Sequence, residues 1–167
     1  ACRIVGEEMA AEQIRIRELR DLLWCAWSVL GDVLLNGHPD SNVAGILNLS
    51  FSGIAAEALL TAIPEIAVTT GSACTSASNE PSHVLRAMDC DEIRARSAVR
   101  FSLGRFTTVE EIEYTAQRVS AAVNRLRELS PLWELRQREL DQLVVDWAAL
   151  PQAARRSTRD CVKEQDR

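Results

Sequence analysis

Cys74 stands in the run Thr70-Gly71-Ser72-Ala73-Cys74-Thr75-Ser76-Ala77-Ser78, among residues too small to fill a core. Such a run predicts a mobile loop, where a thiol stays reachable and can swing between two sites. As a thiolate it would be a nucleophile or a carrier of sulfur. Free cysteines are more often packing residues, and placement in a loop is what sets Cys74 apart. Cys25 lies in a helical pattern between Trp24 and Ala26, Cys90 is flanked by Asp89 and Asp91, and Cys2 and Cys161 lie near the chain ends. Five widely spaced cysteines without a C-x-x-C pair indicate neither a disulfide framework nor a zinc site.

Arg100 is the second candidate, with Arg105 shortly after it. One reading is a surface arginine in an ion pair. The other is a clamp, because a guanidinium fork matches a carboxylate with two parallel hydrogen bonds. His38 and His83 have no metal-ligand spacing and read as structural or surface residues. The lysines are equally informative: Lys163, in the polar tail, is the only one. An enzyme that anchors an aldehyde cofactor as a Schiff base needs a lysine inside a pocket, and this sequence has none to place there.

The elements that must position these groups follow from periodicity. Between Glu7 and Leu30 the residues Ile16, Leu19, Leu23, Ala26, Trp27 and Leu30 recur at helical spacing, and Gly31-Asp32 ends the helix. Val33 to Leu35 predicts a short strand before the turn-rich run Asn36 to Asp40. In Ile46 to Ser52, Leu47, Leu49 and Phe51 alternate with Asn48, Ser50 and Ser52, which predicts a strand with one buried face. A helix from about Ala55 to Ile63 is stopped by Pro64, and Ile66 to Thr69 reads as a further short strand. Pro81 suits the first turn of a helix running to about Met88. Ala98 to Leu103 alternates again, with Arg100 opposite the apolar Val99, Phe101 and Leu103. Thr108 and Glu111 form a capping-box signature opening a helix through Ile112, Ala116, Val119, Val123 and Leu126. Ser130-Pro131 starts another, to about Ala149.

This order predicts an α+β domain over residues 1–150, with three or four mostly antiparallel strands, helices on one side, and a thiol-bearing loop at 70–81. Residues 151–167 read as an unstructured polar tail. The net charge of −5 argues against a nucleic-acid surface, and no stretch approaches the length of a membrane helix, so a cytoplasmic protein is expected. The start at Ala1, without methionine or signal-peptide layout, reads as a cut end.

Ser72-Ala73-Cys74-Thr75-Ser76-Ala77-Ser78, Glu80-Pro81-Ser82, Val84-Leu85-Arg86-Ala87, the run from Val99 to Thr108 that contains Arg100-Phe101-Ser102-Leu103-Gly104-Arg105, and Ser130-Pro131-Leu132-Trp133-Glu134 are collinear with the cysteine desulfurases of iron–sulfur cluster assembly. The sequence resembles that family from near Arg3, through Ile46 to Phe51, to Glu134. The resemblance implies the smaller, carboxy-terminal domain of the aminotransferase-like fold of pyridoxal phosphate enzymes, from a protein that is a homodimer when intact. It implies conversion of L-cysteine to L-alanine, with Cys74 accepting the sulfur as a persulfide and Arg100 holding the substrate carboxylate. The persulfide would pass to an iron–sulfur scaffold protein that docks near Ser130 to Glu134, and Cys74 would also be a shared ligand to a nascent two-iron cluster there.

The lysine, the ring-stacking histidine, the pyridine aspartate and most phosphate ligands of that family would all precede Arg3. The expectation is therefore that this chain alone does not bind pyridoxal phosphate productively and needs the missing amino-terminal half. Val43-Ala44-Gly45 stands where the family pattern has Pro-Asn, and the tail after Leu150 departs from the family's usual ending. A reading of a different class is an interaction module without catalysis, binding the scaffold or a full-length subunit. A third is a redox-sensing thiol protein that uses Cys74 without a cofactor.

Overall fold

The structure, a computed structural model, describes residues 2–71, 82–131 and 133–137. Helix α1 (Cys2–Ser28) leads into strand β1 (Val33–Leu35), strand β2 (Ile46–Phe51), helices α2 (Ala56–Ala62), α3 (His83–Ala87) and α4 (Glu92–Arg96), strand β3 (Ala98–Ser102) and helix α5 (Val109–Glu128). The three strands form one antiparallel sheet in the order β1-β2-β3.

The alternation in β2 and β3 divides the sheet into two faces. Leu47, Leu49, Phe51, Val99 and Phe101 turn to the main core, where Leu19, Leu23 and Trp27 of α1, Leu59 of α2, and Ile112, Val119 and Val123 of α5 cover them. Trp27 is completely buried, with its ring centre 4.6 Å from that of Phe101 and 6.0 Å from that of Phe51. Its indole Nε1–H donates to the Ala116 carbonyl at 3.2 Å, so the one polar atom of the ring is satisfied. The capping box at Thr108 and Glu111 is present in both directions and opens α5 where expected.

Helices cover both sides of the sheet, not one. On the second face Ser50 is fully buried, and its Oγ donates to the Arg94 carbonyl of α4 at 2.7 Å. Leu85, Ala95 and Ala98 make a small second cluster there. The reason is local: Asp91 accepts a hydrogen bond from the Arg94 backbone N–H at 2.8 Å, a side-chain cap that starts α4 in a segment with no apolar periodicity.

Ile66 to Thr69 does not form a strand. Only Thr69 pairs with β3, opposite Arg100, because Thr69 Oγ1 immediately turns the chain by donating to the Gly71 carbonyl at 2.8 Å. Helix α1 also starts earlier than its apolar pattern, since the described side chains of its first half bury no stripe and Met9 and Ile14 stay exposed; good helix formers suffice there.

At Val43-Ala44-Gly45 the chain makes a turn closed by the Ile46 N–H donating to the Val43 carbonyl at 3.1 Å. A Cβ on Gly45 would lie 2.5 Å from the Leu103 carbonyl oxygen, whose residue also donates its N–H to Gly45 at 2.8 Å. Glycine lets the two backbones meet there.

Arg127, buried near the end of α5, donates to the carbonyls of Leu30, Gly31, Asp32 and Ser52 and lies 4.0 Å from the centre of the Trp133 ring. Ser130 Oγ donates to the Gly53 carbonyl at 2.6 Å, so this chain segment is tied to the turn after β2. The chain divides into compact units 1–133 and 134–167. Of the second only 134–137 is described, as helix, so the expected boundary at 150 and the tail 151–167 lie outside the described residues.

Candidate carboxylate-binding site

Arg100 sits in the middle of β3 with both backbone sides in use. It pairs with Asn48 of β2, and its N–H donates to the Thr69 carbonyl at 2.7 Å. This fixes its side chain on the second face of the sheet, the face of Asn48, Ser50 and Ala98. Its Nε is buried and makes no hydrogen bond, the one such buried side-chain atom among the described residues. A buried donor left unmatched costs on the order of 1–3 kcal/mol, which makes Arg100 the side chain to explain.

Arg100 lines a cavity of about 300 Å³, room for a small amino acid. Asn36 and Asn48 also line it, together with His83 and Leu85 of α3 and Met88 just after that helix. Gly71 and Ser82 are also in the wall, and these two residues flank segment 72–81. Cys74 belongs to that segment and so lies outside the described residues. The expected loop at 70–81 is described only at its first two residues.

Beneath Arg100 is a closed polar circuit. The Arg94 Nε–H donates to Asn36 Oδ1 at 2.8 Å, and Asn36 Nδ2 donates to Asn48 Oδ1 and Ser50 Oγ, each at 2.8 Å. Ser50 returns its proton to the Arg94 carbonyl. Arg94 also holds the Leu35 carbonyl at 2.8 Å. Cys90 lies beside this circuit with its Sγ 3.9 Å from Asn36 Oδ1, and Cys25 is exposed on α1.

Arg105 fits the other reading of an arginine in this region. It is forked onto Glu12, with Nη2 to Oε2 at 2.8 Å, and reaches Glu8 at 3.0 Å. The hydrogen bond from Arg105 holds the Glu12 carboxyl below its ordinary range, and the Glu12 bond raises Arg105. Two larger cavities are less suited to a free carboxylate. One, of about 610 Å³, contains Arg17 and Arg20, both already donating to Asn42 Oδ1. The other, of about 600 Å³, is lined by Glu65, Glu110 and Glu111, which would repel it.

Sequence reasoning missed Asn36, Asn48 and Arg94 as parts of this site. Asn48 was legible, since it shares the polar face of its strand, whereas Asn36 sat in what reads as a turn and Arg94 in a segment without pattern. His83 lines the cavity wall, and His38 caps its own turn, Nδ1 accepting from the N–H groups of Asp40 and Ser41. No group of histidine, cysteine and carboxylate side chains that could hold a metal occurs among the described residues.

Residues 4–115, which run from the first turn of α1 through β3 into α5, match the family described as Aminotransferase class-V. The chain belongs to the class-V aminotransferase family. Within the family it is similar to the cysteine desulfurase IscS of Serratia proteamaculans, 50% identical over 148 residues, and to that of Colwellia psychrerythraea, 45% identical over 149. Each alignment covers 89% of this chain and 37% of the relative. The α+β fold resembles a NifS-like protein with a TM-score of 0.62 and 24% identity, over 72% of this chain and 30% of that one. It also resembles the NifS-like protein from Rickettsia africae ESF-5 with a TM-score of 0.61 and 21% identity, over 71% of this chain and 31% of that one.

Pyridoxal phosphate, which the resemblance implied, requires a lysine amine for its aldehyde. The described residues contain no lysine, and Lys163 lies outside them. The described residues thus do not supply the amine that would anchor the cofactor's aldehyde.

Proposed function

We propose that this chain supplies the substrate-carboxylate receptor and the sulfur-accepting thiol of a cysteine desulfurase, with Arg100 in the first role and Cys74 in the second. The reading is supported by one observation: the cavity lined by Arg100, whose Nε has no hydrogen-bond partner, also has Gly71 and Ser82 in its wall. Cys74 is three peptide links from Gly71, a reach of at most about 11 Å between α-carbons. A thiol tethered so close to the receptor is within reach of an amino acid held there. The similarity to IscS proteins supports L-cysteine as that amino acid.

In the transfer, the Cys74 thiolate attacks the sulfur of L-cysteine. A sulfur–sulfur bond forms and the carbon–sulfur bond of the substrate breaks, its electron pair going to carbon. That carbon takes up the proton of the substrate thiol, leaving L-alanine and a persulfide on Cys74. Arg100 orients the substrate by its carboxylate and keeps its sulfur turned to the loop. Stabilising charge on the substrate carbon is the work of pyridoxal phosphate, held by residues other than the described ones. The persulfide is then available to an iron–sulfur scaffold protein.

The test is to combine the 167-residue chain with the separately produced amino-terminal part of the Serratia relative, pyridoxal phosphate and L-cysteine, and to measure L-alanine. The reading predicts L-alanine from the mixture and from neither component alone. Cys74→Ser should reduce it to the background of the amino-terminal part. Activity in the Cys74→Ser mixture equal to that of the unaltered chain would sink the acceptor assignment. Absence of L-alanine from a complex that demonstrably forms would favour a non-catalytic module.

A further inference from the structure

We propose that Asn48 is the second hydrogen-bond donor of the Arg100 cavity, and that Arg94 is a positioning residue that turns the Asn48 amide toward the ligand through Asn36. The inference rests on the reading of that cavity as a carboxylate receptor and adds to it the groups that set its geometry.

The orientation of both amides follows from donor and acceptor chemistry. A guanidinium only donates, so the Asn36 atom 2.8 Å from Arg94 Nε must be its carbonyl oxygen. The other end of Asn36 is then its NH2 group, and its two protons go to Asn48 Oδ1 and Ser50 Oγ. Ser50 is free to accept because its own proton is committed to the Arg94 carbonyl. Asn48 must therefore present its oxygen to Asn36 and its NH2 group away from it. That NH2 group makes no hydrogen bond with the described residues, while Asn48 faces Arg100 across the strand pair and lines the same cavity.

Three features thus converge on one ligand class. Arg100 lines the cavity with a guanidinium, Asn48 offers neutral N–H donors beside it, and no carboxylate of the described residues lines the cavity to compete. One carboxylate would accept from both side chains. The circuit through Arg94 prevents Asn48 from rotating to present its oxygen, which would repel that anion.

The test uses the 167-residue chain labelled with nitrogen-15 and titrated with L-alanine, following the Arg100 Nε–H and Asn48 NH2 signals. Both are expected to shift along the same binding curve. Asn48→Asp keeps the acceptor for Asn36 and replaces the donors with an anion, and it should weaken L-alanine binding at least about tenfold with the backbone spectrum preserved. Arg94→Met should weaken binding about threefold in the unaltered chain and have no further effect in the Asn48→Asp background. If Arg100 responds while the Asn48 signals stay fixed, or if Asn48→Asp binds as the unaltered chain does, the inference is wrong and the carboxylate reading survives. Equal weakening by Arg94→Met in both backgrounds removes the positioning role alone. An Arg100 signal that never responds overturns the carboxylate reading itself, and this inference with it.

Discussion

Arg100 and Asn48 are directly opposed across β3 and β2, on the sheet face that the main hydrophobic core does not use. The opposition separates two kinds of work. The Leu47, Leu49, Val99 and Phe101 side chains of the same strands hold the main core, while Asn48 and Arg100 between them line the cavity on the other face. Removing a side chain from one face should therefore have a different signature from removing one on the other.

Arg100→Gln should abolish measurable carboxylate binding while leaving thermal stability unchanged or slightly raised. Its buried Nε has no hydrogen bond to lose in the folded chain. Arg127→Met is the contrast, because that guanidinium satisfies carbonyls at the end of α1 and after β2. It should destabilise the fold by about 3 kcal/mol in urea unfolding. A comparable loss of stability in Arg100→Gln would mean that Arg100 is a structural residue.

Gly45→Ala should cost about 1–3 kcal/mol, because its Cβ would meet the Leu103 backbone oxygen and push apart the pairing that extends β2 and β3. Gly104→Ala, where an added Cβ meets nothing within 4 Å, is the control and should be nearly neutral. Equal midpoints for the two variants in chemical denaturation would show that the close approach is not a constraint.

Stability should also depend on pH through Glu12. Its carboxyl is held below the ordinary value of 4.5, chiefly by the hydrogen bond from Arg105. The pair therefore stabilises the fold at neutral pH, above the unfolded-state value, and that contribution disappears as the pH falls through the lower folded-state value. Glu12→Gln should show a lower melting temperature than the unaltered chain at pH 7, with the gap closing under acid conditions. A gap that persists undiminished once the carboxyl is protonated would contradict the assignment.

Much of the main core was legible because its signals are local. The capping box at Thr108, the alternation through Leu47 to Phe51 and the helical spacing of Leu19, Leu23 and Trp27 each specify an element from neighbouring residues. Arg100 was legible as a candidate through its place in an alternating strand. The circuit beneath it was not. Asn36 and Arg94 are far apart in sequence, and their contact exists only because Asp91 caps a short helix over Ser50. Ile66 to Thr69 misled for a related reason. Its apolar residues suit a strand, yet Ile66 and Val68 pack against the core from irregular backbone and only Thr69 reaches β3. Such pairing is decided by the partner edge and not by the segment itself.

The most direct measurement is peptide mapping of the chain after reaction with isotopically labelled L-cysteine in the presence of the amino-terminal part and pyridoxal phosphate. The account predicts one labelled sulfur on the peptide that contains Cys74, one L-alanine for each, and slower labelling in Arg100→Gln at limiting substrate. Label found on Cys25 or Cys90 instead, or the same labelling rate in Arg100→Gln, would contradict it.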